Sequence, residues 1–311
     1  MFKRKSSIVA LSLATALTLA ACGGNANGSG GNTPSKDPST SSSEGTASAK
    51  DTPIEIAVFN GWDEAVAVSN LWKLVLESEG YTVNLTNGDP GAVYLGIADG
   101  DYDLTLDTWL PTTHAGYMEQ FGDDMVVLGS WNDAATLGLA VNSDAPITSL
   151  DELAANADKF DNRIVGIESG AGLTRITKDE VIPGYGLDKM EFLTSSTPAM
   201  LAELDAAMKA KENILVTLWK PHWAYDAYDI RDLEDPKGLL GDAESIHMMS
   251  RTGFADDFPD VANWISNFRM DSERLFELEN LMFNEYDGSD YTPIITDWMK
   301  DNQDWVDSLT K

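Results

Sequence analysis

Cysteine is almost missing from this chain. Cys22 is the only one among 311 residues, so a disulfide within the chain is excluded. Histidine is also scarce. His114, His222 and His247 lie far apart, and none stands in an i, i+4 pair with another. That spacing gives a metal site no support. Positive charge is short: 21 Lys and Arg face 51 Asp and Glu, for a net charge of −30 and a pI near 4.1. So acidic a surface repels nucleic acid and anionic lipid and suits salty surroundings. No apolar run is long enough to span a bilayer comfortably. No Gly-x-Ser-x-Gly elbow is present, and no Gly-Lys-Ser/Thr follows the Gly-rich stretch at Gly170. What the chain does have is bulk. With 43% hydrophobic residues it can build two domains with real cores.

The N-terminus has an address. Lys3, Arg4 and Lys5 precede an apolar run, Ile8 to Ala21, which ends Leu19-Ala20-Ala21-Cys22-Gly23. The run has signal-peptide length. Its small-small-Cys ending resembles the lipobox of bacterial lipoproteins, in which the cysteine is lipidated and becomes the mature N-terminus. The expectation is a signal peptide over 1–21 and a lipid on Cys22. Loss of the three basic residues takes the charge from −30 to −33. Residues 22–52 then read as the lipidated Cys and a Gly, Ser, Thr, Asn and Pro tether, with almost nothing to bury. The protein is expected on the extracytoplasmic face of the cell membrane, held by two or more acyl chains.

The remaining chain alternates short apolar strands with helices. Ile54–Phe59 reads as a strand, and Asp63 and Glu64 open a helix where acidic residues suit the dipole. Val68, Leu71, Val75 and Leu76 form the buried face of that helix, with Trp72 near it, and Gly80 ends it. A second strand follows over 81–86, then an Asp89-Pro90 cap, a short helix, and a strand over 102–106 that runs into a Pro-containing loop. Strands are predicted at 126–128 and 137–141, and a capped helix at Ser149. The plan then repeats: strand 163–167, Gly-rich turn 168–172, helix, strand 192–193, helix 197–209, strand 214–218. A return strand at 246–249 and two or three helices from Asp260 complete the chain. Trp264, Phe268, Leu275, Leu278, Met282, Trp298 and Trp305 are expected to pack. A β-α-β-α-β order argues for mixed sheets with helical crossovers.

Three tryptophans, Trp62, Trp109 and Trp219, fall just past predicted strand ends. One such Trp would be read as a core anchor under a loop. Three at matching positions lie where open α/β sheets bind ligands. Indole faces attract cations, each contact contributing about 0.5–2 kcal/mol. A quaternary ammonium cannot donate a hydrogen bond, so a box of aromatic faces suits it. A carboxylate on the same ligand would need donors, and free N–H groups at a helix start around Gly172 and Leu173 could supply them, with His114. The same Gly-rich stretch would equally serve as a plain βα turn. Asp101, Asp103 and Asp107 fit a solvated strand face. No catalytic residue, metal ligand or cofactor is predicted.

From about Ile54 onward the chain resembles the glycine betaine/proline betaine substrate-binding proteins of osmoprotectant ABC transporters. The resemblance rests on Asn60-Gly61-Trp62-Asp63-Glu64-Ala65-Val66-Ala67, Asp107-Thr108-Trp109-Leu110-Pro111-Thr112-Thr113-His114, Gly166-Ile167-Glu168-Ser169-Gly170-Ala171-Gly172 and Val216-Thr217-Leu218-Trp219-Lys220-Pro221-His222-Trp223, in one collinear order. Asp235-Pro236-Lys237 and Ala243-Glu244-Ser245-Ile246-His247 match as well. Variation among members is expected at Asn60-Gly61 and at Leu173-Thr174-Arg175.

The resemblance implies a two-lobe α/β, periplasmic-binding-protein-like fold of type II, with a mixed sheet flanked by helices in each lobe. Lobe 1 would be 53–142 plus about 247–311 and lobe 2 about 143–246, hinged near 141–147 and 242–250. It implies a prism of Trp62, Trp109 and Trp219 around a trimethylammonium group. The ligand's carboxylate would meet His114 and the backbone N–H groups of Gly172 and Leu173. The implied protein is a monomeric solute-binding protein, not an enzyme, that captures glycine betaine and delivers it to ABC permease subunits. Choline, carnitine or an ectoine is the alternative ligand. A carbohydrate-active surface protein, with tryptophans stacking sugar rings, is a rival of another class.

Overall fold

The computed structural model describes residues 49–311. The signal peptide, Cys22 and most of the expected tether lie outside the described residues. The last tether residues, Ala49–Asp51, form one 3₁₀ turn.

β1 (Ile54–Phe59) is buried at every position but Glu55. The chain turns through Gly61 into α1 (Asp63–Ser78), whose residues Val68, Leu71, Trp72, Val75 and Leu76 are buried. β2 (Val83–Gly88), α2 (Pro90–Asp99) and β3 (Leu104–Leu110) follow. β1 lies between β2 and β3, parallel to both, and α1 and α2 supply the crossovers that parallel strands require. α3 (Ala115–Phe121) then leads to β4 (Met125–Asn142). Separate strands were expected at 126–128 and 137–141, and β4 joins them. The non-alternating stretch between them is absorbed by β-bulges at 127/129, 130/132 and 132/135.

The second half repeats the plan with β5 (Arg163–Val165), α4 (Gly172–Ile176), α5 (Ile182–Tyr185), β6 (Glu191–Leu193), α6 (Thr197–Ala210) and β7 (Leu215–Lys220). The start at Ser149 is capped as expected, but the turns it begins are 3₁₀, over Leu150–Ala155. α7 (Ala224–Ala227), β8 (Ile230–Asp232) and β9 (Glu244–Arg251) come next. Strand order is β2-β1-β3-β9-β4-β7-β5-β6, with β8 beside β4. β4 changes neighbours along its length: Met125 to Ala135 pair with β9, and Thr136 to Val141 pair with β7. One strand therefore belongs to both halves of the sheet.

Five short helices close the chain: α8 (Phe254–Asp257), α9 (Pro259–Ser266), α10 (Ser272–Glu279), α11 (Thr292–Asp301) and α12 (Gln303–Val306). Four of them, α9 to α12, occupy the stretch from about Asp260 where two or three were expected. Phe268, Leu275, Leu278, Met282 and Trp298 are buried, while Trp264 and Trp305 pack part-exposed. Trp72 meets Phe268 edge-on at 5.4 Å. No helix among the described residues is long and apolar enough to cross a membrane.

Candidate functional site

The loop after β1, the ends of β3 and β7, the loop after β3 and the start of α4 converge on one pocket. Trp62, Trp109, Trp219, His114, Gly172 and Leu173 all line it, with Glu64, Thr113, Leu137, Ile167 and Ala171. All six site residues picked from the sequence are thus brought together.

Trp62 sits immediately before α1. The turn that aims it has Gly61 at φ +72°, a region that favours glycine. Its ring lies parallel to the His114 ring at 5.6 Å and is tilted 58° to Trp219 at 6.4 Å. Its indole N–H donates to Glu168 across the pocket, 3.2 Å away. Glu168 in turn accepts from the Thr197 N–H and hydroxyl at the start of α6. Trp109 and Trp219 were expected just past their strands but lie within them, each one residue before the end of β3 and β7, and Trp109 donates its indole N–H to Asp107 at 2.8 Å. Trp109 and Trp219 are each followed within two residues by a cis X–Pro bond, Leu110-Pro111 and Lys220-Pro221.

His114 is fully buried. Its Nδ1 accepts the Trp109 backbone N–H at 2.9 Å, so the ring proton is assigned to Nε2. That Nε2 has no partner among the described residues. Burial, and secondly the nearby Arg175 guanidinium, pull the imidazole pKa down to about 3, which leaves it neutral. A neutral ring with an unpaired buried N–H is a hydrogen-bond donor waiting for an acceptor. Gly172 and Leu173 open α4, where N–H groups have no carbonyl partner within the helix. The three donors line the same pocket as the tryptophans.

Gly172 is required by contact, not by dihedral angle. A Cβ there would stand 2.2 Å from the Thr113 carbonyl oxygen and 2.8 Å from its carbon. The loop after β3 is thus pressed against α4. It is held by Glu244 of β9, which accepts from the N–H groups of Thr112 and Thr113 and from the Thr113 hydroxyl. Tyr117 donates to Gly170 O at 2.8 Å and Arg175 to Thr112 O at 3.3 Å, closing the same seam.

Four buried carboxyls cluster at the cage: Glu64 in its wall, and Asp63, Asp107 and Glu279 near it. Burial pushes Asp63 and Asp107 up to about 7, against hydrogen bonds from Trp223 and Trp109 that pull down. Burial, then repulsion from neighbouring carboxylates, drives Glu64 and Glu279 well above the carboxylate range. The expectation of a solvated face for Asp103 and Asp107 is therefore wrong. Asp107 is 1% exposed and serves Trp109. Asp103 is 7% exposed, accepts the Glu55 N–H at 2.8 Å and pairs with Arg251 at 2.8 Å. Arg251, at the end of β9, meets Asp103, and Glu64 of α1 and Glu279 of α10 stand near Asp107, on the face that alternation alone assigned to water. Glu64, Glu168 and Glu244 were not singled out as site residues. Each stood inside a motif quoted for its tryptophan, glycine or histidine, and that adjacency was the signal available.

Comparison with known proteins decides the family. Residues 52–301 match the model of the substrate-binding domain of ABC-type glycine betaine transport systems. The chain belongs to this family. It is similar to a solved glycine betaine/L-proline-binding protein, ProX, of Borrelia burgdorferi, with 32% identity and a TM-score of 0.78 over 84% of this chain and 97% of that one. Lactococcal OpuAC, solved closed on glycine betaine, matches with 28% identity and a TM-score of 0.77 over 84% of this chain and all of that one. The glycine betaine/carnitine transport binding protein GbuC of Listeria monocytogenes is 36% identical over 160 residues, 50% of this chain and 52% of that protein. The matched stretch thus spans about half the length of that relative. A choline-binding protein solved with choline, 23% identical with a TM-score of 0.74, shares the fold. The fold is the α/β type II periplasmic-binding-protein fold, and the family is a solute-binding component of ABC transporters.

Proposed function

We propose that this protein captures glycine betaine between two lobes and passes it to an ABC permease. The observation that carries the reading is the pairing, in one pocket, of three indoles with the unpaired Nε2–H of His114. Trp62, Trp109 and Trp219 hold the trimethylammonium group. His114 and the N–H groups of Gly172 and Leu173 hold the carboxylate. Choline would leave those donors unpaired, at a cost of about 1–3 kcal/mol per buried group. Lobe 1 is 53–142 plus 247–311, and lobe 2 is 143–246. The exchange of partners along β4 supports such a division, with the first crossing nearer 135/136 than 142. Cage residues from both lobes make closure the ligand-favoured state.

Calorimetric titration of the purified protein with glycine betaine, choline and maltose tests the ligand class. Glycine betaine should bind tightest and maltose not at all. Choline binding as tight as betaine would remove the carboxylate site, and maltose binding would move the reading to sugars. The lipid on Cys22 is proposed from the sequence alone. Cys22→Ala should move the protein from the membrane fraction to the soluble one, and continued membrane retention would refute the anchor.

A further inference from the structure

Among the described residues, Glu64 is the one acidic residue that lines the cage itself. It is the second residue of α1 and 1% exposed, and its Oε2 has no hydrogen-bond partner among the described residues. The groups that face it are the wrong ones for a buried anion. Asp107 comes from β3 and Glu279 from α10, both acidic and both buried. Asp63 is its neighbour on α1. The Trp219 indole N–H lies near enough to favour the ionised form without closing a hydrogen bond. His222, after β7, stands 3.7 Å from Asp63, but burial pulls its pKa down to about 3 and leaves it neutral. Tyr94 and Tyr291, near Asp107 and Asp63, are held in their neutral forms. Among the described residues no lysine or arginine pairs with any of the four carboxyls.

A buried, uncompensated carboxyl cluster costs the fold stability and returns nothing unless a cation arrives. The head group proposed for this pocket is a permanent cation that carries no N–H of its own. We infer that Glu64 is a specificity-determining residue: its carboxylate is the counter-charge that selects a cationic head group over an uncharged group of the same shape. The inference rests on the proposed reading of the site. Aromatic faces and apolar walls accept a trimethylammonium and a tert-butyl group alike by shape, so they discriminate less sharply. Glu64 holds its proton in the empty pocket, because burial and its acidic neighbours disfavour the anion. Arrival of the cation reverses that preference, and the proton leaves to solvent. Binding is then linked to proton release, and affinity falls as pH is lowered.

The test compares glycine betaine with 3,3-dimethylbutanoate, which has carbon in place of the nitrogen and no positive charge. Wild-type protein and Glu64→Gln are titrated with each, in two buffers of different ionisation enthalpy near pH 7. Wild type should prefer glycine betaine by a hundredfold or more and release protons on binding it, but not on binding the neutral analogue. Glu64→Gln should lose tenfold or more in betaine affinity, keep its affinity for the analogue within threefold, and release fewer protons. Equal losses for both ligands, or unchanged betaine affinity, would overturn the inference. If the variant does not melt cooperatively, the wild-type titration decides alone: no proton release with betaine overturns it. Wild-type protein that binds neither ligand would instead overturn the reading of the site, and the inference with it.

Discussion

Gly172→Ala offers a clean separation of binding from folding. The backbone there is an ordinary helix start without positive φ, so alanine itself is tolerated and is the better helix former by roughly 0.5–1 kcal/mol. The obstacle lies across the seam. The new methyl would stand 2.2 Å from the Thr113 carbonyl oxygen, roughly 1 Å inside contact distance, against backbone that Glu244 holds in place. Relief requires the seam to part by about that distance. That puts at risk three bonds that cross it, Trp62 to Glu168, Tyr117 to Gly170 O and Arg175 to Thr112 O. At about 1 kcal/mol each, the closed state loses roughly 2–4 kcal/mol, or 30- to 1,000-fold in betaine affinity. Calorimetric titration measures the loss, and thermal melting of the unliganded protein should change little. Gly116→Ala is the control, because nothing lies within 4 Å of a Cβ there. Betaine affinity of Gly172→Ala within threefold of wild type would refute the argument that this contact is part of closure.

Asp103→Ala should lower stability by about 2–4 kcal/mol, since it strands Arg251 Nε and the Glu55 N–H, and should leave betaine affinity unchanged at 20 °C. Denaturant unfolding and titration together check this, and a selective loss of binding would count against it. The buried acids also set a pH dependence of the unliganded protein. Asp63 and Asp107 have folded pKa values raised from 3.8 to about 7, so their favourable contribution is complete below about pH 4 and is lost as pH rises to 7. Melting temperature should therefore fall from pH 5 to pH 8, and fall less in Asp107→Asn, by a difference worth a few kcal/mol. Equal slopes would show that Asp107 is not ionising in that window.

The sites of chemistry were easier to read from the sequence than their surroundings. Trp62, Trp109 and Trp219 each followed an apolar run, and that topological rule brought them to one pocket without any knowledge of strand order. His114 was picked as a donor, and its role follows from a bond to the backbone five residues earlier that no pattern encodes. Alternation misassigned Asp103 and Asp107 because it sees one strand at a time. The groups that meet the face that should have been wet are distant in sequence: Arg251 at the end of β9 for Asp103, and Glu64 of α1 and Glu279 of α10 for Asp107. The same blindness hid β4, whose bulges break the period of two over residues 127–135. Glu64 read only as a favourable first-turn charge at the helix start. It is buried because that end points into the pocket, which is a fact about the second half of the chain.

The most direct test of the account is the affinity of Trp109→Ala for glycine betaine, measured by calorimetry beside wild type at one pH and salt concentration. If three indoles from separate parts of the chain form one cation site, removing this one should cost tenfold or more while the protein still melts cooperatively. Binding that survives Trp109→Ala unchanged would contradict the cage.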